Sequence, residues 1–335
     1  LRPRFLSFPG IFKRLDGFFL AIASLPTLFR LKRTGRLDLL DAHFAYPDGY
    51  AATLVAGWLG VPCTITLRGT EARLVRTPVF RRMIGFALAR AQRVFSVSTS
   101  LAELAKSLGL SDDRLRVIGN GVDANKFSPV ERSEERGRFG IPLGAKVLIT
   151  VGALVERKGF HRVIDSMTRL AADLPNLHYL VVGGGSPEGN IEAQLRGQVK
   201  TMGLSDRVHF LGPVAPEDLR GPLSAADVFV LSSRNEGWAN VLLEAMACGL
   251  PVITTDVGGS REVVCHPELG IVIPFNDVSA LDNAIRKAVG QDWDATAIRA
   301  YALRNSWDER VNVLVEELCS IYRPIDREEW QGAPH

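Results

Sequence analysis

The sequence is poor in cysteine, in long apolar runs and in net charge. Four cysteines stand among 335 residues, Cys63, Cys248, Cys265 and Cys319, none near another. That scatter excludes a disulfide-stapled scaffold and a cysteine-rich zinc site, and it fits a reducing cytoplasm. Each reads as a small buried apolar residue. The longest apolar stretch, Leu15 to Leu31, is interrupted by Asp16 and Pro26 and falls short of the roughly 20 residues that a spanning helix needs. It does not open the chain as a signal peptide would, and no small-residue cleavage site follows it. The chain starts at Leu1 rather than Met, as a fragment would.

The composition, 46% hydrophobic and 23% charged, is that of a globular protein able to bury a core. The length suits two domains. The formal net charge of +3 hides a split: residues 1–130 carry +10 and residues 131–335 carry −7. The two parts are expected to face different partners. Nucleic acid is not among them, since the basic residues are not interleaved with stacking aromatics.

Short β-branched or apolar runs alternate with longer helical ones, the pattern of parallel sheets covered by helices. Strands are expected at Leu37–His43, Cys63–Leu67, Arg93–Val97 and Leu115–Ile118. After a charged, proline-containing stretch from Ser128 to Gly144 they resume at Lys146–Val151, His178–Val182, Val208–Leu211, Val228–Leu231, Pro251–Thr254 and Gly270–Ile273. Helices are expected at Gly49–Leu59, Pro78–Ala91, Leu101–Leu108 with Thr99 as cap, and Gly237–Ala247. The fold class is α/β, two doubly wound Rossmann-like domains facing a cleft. Chemistry is then sought in the loops after strand ends.

Two loops stand out. In Val151-Gly152-Ala-Leu-Val-Glu-Arg157-Lys158-Gly159 a strand ends at Gly152, and a basic pair precedes a helix. Free N–H groups at a helix start favour an anion, and Arg157 and Lys158 add charge, so a phosphate site competes with a solvated turn. The order Gly-Lys-Ser/Thr of a Walker loop is absent. In the second loop, Glu236-Gly237-Trp238-Ala239-Asn240 leads into Val-Leu-Leu-Glu244-Ala-Met-Ala. Glu244 lies within an apolar run, so a partly buried carboxylate needs hydrogen-bond donors. Glu236 lies eight residues earlier, about 12 Å away if the segment is wholly helical. That spacing matches the span from a ribose to the far hydroxyls of a sugar across a diphosphate. The competing readings are an ordinary helix-start acid and a buried acid satisfied by backbone donors. Gly183, opening Gly183-Gly-Gly185, gives either close backbone approach to a ligand or a tight turn. Gly258, Gly259 and Glu262 are candidates to border a sugar pocket. Asp292-Trp-Asp294 has the spacing of a metal-binding pair but reads as surface acids.

The run NEGWANVLLEAMACGLPVITTDVGG, with VGALVERKG, VIGNGVDANKFSP and NSWDERVNVLVEELCSIY, closely resembles family 4 glycosyltransferases of the GT-B fold. The resemblance implies a retaining transferase that moves a sugar from a nucleotide-sugar donor to a glycan or lipid-linked acceptor in cell-surface polysaccharide or glycoconjugate synthesis. It implies no metal and no cofactor besides the donor substrate. Carried onto this sequence, Glu236 meets the sugar hydroxyls, Glu244 the ribose and Lys158 the phosphates. Arg157 takes over charge from a family Arg whose position holds Ala153, and Gly152, Gly183 and Gly237 to Asn240 line the donor. Arg68 stands where members often carry His. His43 is therefore the candidate to meet the reacting centre, and Arg68 and Glu71 are candidates to grip acceptor or diphosphate. The family's opening strand and Gly-rich loop are not recognisable before Leu37, which makes an incomplete first domain the expectation.

The expected domains are residues 1–130 on the acceptor side, 131–305 for the donor, and 306–335 as a helix, Trp307 to Tyr322, returning to the first domain, with a tail. A nucleotide-sugar epimerase and a non-catalytic nucleotide-sugar-binding protein are the competing functions. Lys13, Arg14, Arg30, Lys32, Arg33 and Arg36 flank the apolar run from Phe18 to Phe29. Residues 13–36 therefore suit the anionic inner face of a membrane and a lipid-linked acceptor, or else form a core helix with solvated ends.

Overall fold

The computed structural model describes residues 4–7 and 10–321. It divides into two compact units, one running to Gly119 and resuming at Val311, the other spanning Asn120–Arg310. The division thus falls eleven residues before the 130/131 boundary read from the sequence.

The first unit contains α1 (Asp16–Arg33), β1 (Leu40–His43), α2 (Tyr50–Leu59), β2 (Cys63–Leu67), α3 (Glu71–Leu74), α4 (Pro78–Arg90), β3 (Arg93–Ser96), α5 (Thr99–Ser107) and β4 (Leu115–Val117). Its four strands pair in parallel in chain order, β1-β2-β3-β4. β2 is buried along its whole length, which is why Cys-Thr-Ile-Thr-Leu alternates its apolar residues only with β-branched threonines and carries no charge. The side chain of Ser98, not Thr99, caps α5 by accepting from the Leu101 N–H. α1 packs Ala21 and its neighbours on Ala51 and Val55 of α2, and only Gly17 and Ala21 of this helix are buried.

The second unit contains α6 (Arg132–Arg138), β5 (Lys146–Val151), α7 (Phe160–Arg169), β6 (Leu177–Val182), α8 (Glu192–Thr201), β7 (Val208–Gly212), α9 (Arg220–Ala225), β8 (Val228–Leu231), α10 (Asn240–Ala247), β9 (Val252–Thr255), α11 (Ser260–Val263), β10 (Gly270–Ile273), α12 (Val278–Gly290) and α13 (Ala295–Arg304). α14 (Trp307–Ile321) begins here; Tyr322, expected to end it, and the tail beyond lie outside the described residues. The six parallel strands run β10-β9-β8-β5-β6-β7. Helices on both faces bury two apolar clusters, one around Phe229, Leu242 and Met246, the other around Phe160, Tyr179 and Ile285. Asp277 and Asp294 cap α12 and α13, so Asp294 serves as a helix cap. Strand order reverses between β5 and β8, and an open α/β sheet binds ligands beyond the carboxyl ends of its strands at such a point.

One polar pair sits away from those strand ends. His178 on β6 and His209 on β7 stack with ring centroids 5.3 Å apart and share one proton across a 3.0 Å Nδ1···Nε2 contact. Burial lowers both pKa values below the ordinary 6.5, and at His178 the neighbouring His209, Arg207 and Arg136 lower it further. The fold therefore prefers both rings neutral. Their stabilising contribution is present above about 6.5 and is lost as pH falls below it. Thermal unfolding is expected to move to lower temperature between pH 7 and pH 5, with a shallower dependence in His178→Asn. Equal slopes in the two proteins would contradict this assignment.

Candidate active site

The loops following β5 and β8, neighbours at the reversal point, bring Lys158 and Glu236 together. After β5 the chain turns through Gly152, forms a short 3₁₀ turn at Glu156–Lys158 and enters α7 through Gly159. After β8 it runs through Ser232 and Ser233 to Glu236. Lys158 Nζ lies 2.7 Å from Glu236 Oε1, and both side chains are largely buried, 13% and 8% exposed. The Ser233 hydroxyl donates to the same oxygen at 2.6 Å. Thr255 at the end of β9 in turn donates to the Ser233 carbonyl, also at 2.6 Å. Glu236 Oε2 accepts no hydrogen bond among the described residues.

The sequence placed a helix from Gly237 onward, but α10 begins at Asn240, because Ala239 leaves the helical region with φ −85° and ψ 84°. This changes the donors available. The Asn240 N–H is spent on the Trp238 carbonyl at 3.1 Å. The N–H groups of Gly237, Trp238 and Ala239 make no hydrogen bond among the described residues. The Trp238 indole N–H is buried and likewise unpartnered. Gly237 and Trp238 are half-buried and Ala239 is buried, so these donors stand beside the ion pair open to water or to another acceptor.

Glu244, one turn into α10, is half-buried and takes no hydrogen bond from the described residues. It is therefore not the backbone-satisfied acid that one reading allowed. Burial pushes its carboxyl up to about 7, against the lowering pull of Lys126 and Lys158.

Arg157, expected to add charge for a phosphate, is engaged by carboxylates in the ligand-free chain. It donates to Glu188 at 2.6 Å and lies 3.9 Å from Glu236. Gly152 and Gly183 hold the strand ends close: a Cβ on Gly183 would sit 1.8 Å from the Gly152 carbonyl oxygen. Gly258 packs equally tightly on the Glu236 carbonyl, and the Gly259 N–H donates to the Gly237 carbonyl at 3.1 Å. The glycine pair thus supports the Glu236 loop from behind.

Sequence reasoning missed four residues here. Ser233 and Thr255 follow or end strands, so the strand-end rule alone would have flagged them. Asn120 donates to the Asn240 side chain at 2.9 Å, and Lys126 acts on Glu244. Both lie in the run VIGNGVDANKFSP, but each meets its partner across more than a hundred residues of chain, so the run itself does not show what they contact.

His43 belongs to the first unit. Its Nδ1 accepts from Arg68 Nε at 2.7 Å, and its Nε2 lies 3.3 Å from Asp41 Oδ2. This pattern fixes the Nε2–H tautomer and engages both nitrogens. Glu71, a candidate ligand grip, is 1% exposed and accepts from the backbone N–H groups of Ala45 and Gly69. It pins the turn after β1 to the turn after β2, and both its oxygens are spent there. Among the described residues no group of three or more His, Cys, Asp or Glu is arranged to hold a metal ion.

Two parallel α/β sheets, the larger with a cation and a carboxylate together at its reversal point, form the architecture that the comparisons with known proteins place in the GT-B class. The profile of "Glycosyl transferases group 1" matches residues 131–305, and that of "Glycosyltransferase Family 4" matches residues 3–126. The chain is 32% identical over 308 residues to the D-inositol 3-phosphate glycosyltransferase of Corynebacterium urealyticum, covering 86% of this chain and 72% of that protein. It is 29% identical to the N-acetyl-alpha-D-glucosaminyl L-malate synthase of Bacillus anthracis, covering 80% and 69%. Among solved structures, Anabaena Alr3699/HepE in complex with UDP superposes with a TM-score of 0.76 at 22% identity, covering 88% of this chain and 82% of that one. The chain belongs to the group 1 glycosyl transferases, and it is a glycosyltransferase of the GT-B fold.

Proposed function

We propose that the protein transfers a sugar, with retention of anomeric configuration, from a nucleotide-sugar donor to a glycan or lipid-linked acceptor, and that it needs no metal ion or further cofactor. One observation carries this reading: the Lys158–Glu236 pair beside the free N–H groups of Gly237 to Ala239. UDP bound to the Anabaena relative supports a nucleoside diphosphate. In this reading the leaving diphosphate takes Lys158 and the free donors, which stabilise the negative charge that develops as the glycosidic bond breaks. Glu236, released from Lys158, accepts from sugar hydroxyls. Gly152 and Gly183 line the phosphates, Trp238 and Asn240 flank the sugar, and Arg157 joins the diphosphate by exchanging Glu188 for it. His43 is assigned to the acceptor side. Incubating the protein with donor, with and without acceptors, and assaying free nucleotide and donor epimer separates the candidates. A transferase releases nucleotide in an acceptor-dependent manner, an epimerase converts donor alone, and a binding protein does neither.

Glu244 is assigned to the ribose. Folding favours its protonated form, so the ligand-free protein loses stability as pH rises from the ordinary 4.5 through about 7. Ribose hydroxyls donate best to the ionised carboxylate, so nucleotide affinity is expected to rise as pH climbs through 7, with proton release on binding. Glu244→Gln should weaken binding and flatten the profile. A wild-type affinity constant across this range would count against the ribose role.

A membrane-facing acceptor is favoured by α1, which exposes Phe18, Ile22 and Phe29 and ends in Arg30, Lys32 and Arg33. No described helix is long and apolar enough to cross a membrane. The four cysteines are free, consistent with work in the cytoplasm at the inner membrane face. The protein is expected to float with anionic vesicles at low salt and to be released by high salt. No flotation at low salt would reject this surface.

A further inference from the structure

Behind the Glu236 loop the second unit holds a cavity of about 340 Å³ between α7, α12 and the ends of β8, β9 and β10. Its polar wall is asymmetric. Arg162, half-buried, donates to the Ser232 carbonyl at 2.9 Å and stacks over the Phe275 ring, with no carboxylate within 4 Å of it among the described residues. Arg234 faces it, held only by an exposed 3.5 Å contact to Glu156. His161 completes this side, and its pKa is lowered by burial and by Arg162. Of the acids lining the cavity, Glu156 is the one at the arginines, exposed and 3.5 Å from Arg234, and the others are engaged away from them. Asp165 accepts from Gln198 at 2.7 Å, Asp277 caps α12, and Arg169 is already paired with Asp282. Two guanidinium groups whose charges oppose each other therefore share one opening, while Ile273, Pro274 and Leu281 form an apolar wall. Like charges held together in a partly buried place are relieved by an anion, and guanidinium forks bind phosphate and carboxylate best.

We propose that this cavity is a second ligand site of the unit, taking the phosphate or carboxylate group of a small polar molecule between Arg162 and Arg234. The cavity shares its floor with the candidate active site. Arg162 holds the Ser232 carbonyl, the Ser232 hydroxyl holds the Gly159 carbonyl, and the Arg234 N–H holds the Arg157 carbonyl. An anion that draws Arg162 from Ser232 loosens the loop bearing Ser233 and Glu236 and the turn bearing Lys158. Occupancy thereby alters donor affinity, a coupling that rests on the donor-site assignment above.

The test is calorimetric titration at low ionic strength with inorganic phosphate as the probe, on the wild type, on Arg162→Lys with Arg234→Ala, and on Lys158→Met, each checked for folding by circular dichroism. The double variant is expected to bind phosphate about tenfold or more weakly, while Lys158→Met keeps the cavity affinity. Equal affinity in wild type and double variant, or loss of all phosphate binding in Lys158→Met alone, would overturn the site. For the coupling, UDP is titrated with and without saturating phosphate. An effect of phosphate that disappears in the double variant supports transmission through the cavity. An effect that survives there is direct competition at Lys158 and refutes it. Absence of UDP binding in every protein would count against the donor assignment, while the phosphate titrations still decide the site.

Discussion

Lys158→Met is expected to lower kcat/KM by about 10²–10³-fold, the usual result of removing a charge-stabilising donor from a transfer site. The substitution keeps an unbranched apolar stem of similar length in a largely buried place, so packing should survive and the far-ultraviolet spectrum should not change. What is lost is the cation 2.7 Å from Glu236. Without it the Glu236 carboxylate keeps the Ser233 hydroxyl and a distant Arg157, and a leaving diphosphate loses its nearest counter-charge. Glu236→Ala is expected to be comparably severe, because it removes the acceptor for the sugar and leaves the Lys158 ammonium without its carboxylate in a largely buried place. The two losses should not add, since both side chains act on one reacting group. Turnover within twofold of wild type in either variant would remove that residue from the site.

The second large effect is structural. Gly183→Ala places a methyl carbon 1.8 Å from the Gly152 carbonyl oxygen, at a backbone φ of +140° that side chains rarely adopt. The neighbouring chain cannot retreat cheaply. The Gly152 N–H is tied to the Val182 carbonyl at 3.0 Å, and the Leu154 N–H to the Gly184 carbonyl at 2.8 Å. The variant is expected to lose about 3 kcal/mol or more, visible as a lower urea midpoint, and to lose donor affinity because the turn leading to Lys158 is displaced. A loss below about 1 kcal/mol would mean that the two strand ends are not locked together. The requirement for glycine at 183 is thus a matter of hard contact at the site itself rather than of loop flexibility.

Much of the fold was legible because parallel strands buried on both faces are written as compact apolar runs. Ile-Thr-Leu of β2, Val-Leu-Ile-Thr-Val of β5 and Val-Phe-Val-Leu of β8 all fell where the sequence placed them. Helix boundaries were less legible. Ser98 and Thr99 are equally good caps in composition, and backbone geometry chose Ser98. The run Glu-Gly-Trp-Ala-Asn reads as a helix start by composition, yet three residues stay outside α10, leaving free the N–H groups that make the loop chemically interesting. At the candidate site, the residue types that drew notice in the sequence, Lys158, Glu236 and Glu244, lie close in the fold because β5 and β8 are neighbours. That adjacency comes from strand order, which no local pattern encodes. The same limit explains Arg157, whose partner Glu188 arrives from the loop after β6, and Glu71, whose burial under two backbone donors cannot be read from an isolated Glu in a turn. The opening charge contrast also acquires a physical meaning. The second unit is acidic overall, yet it concentrates Arg157, Lys158, Arg162 and Arg234 around the strand ends where an anion would sit.

The most direct test is calorimetric titration of a panel of nucleoside diphosphate sugars into wild type, Lys158→Met and Glu244→Gln. At least one member of the panel should bind the wild type at a single site, bind Lys158→Met at least about tenfold more weakly, and bind Glu244→Gln without the rise in affinity through pH 7. Failure of every nucleotide sugar to bind, or binding that neither substitution changes, would contradict a donor site built on Lys158, Glu236 and Glu244.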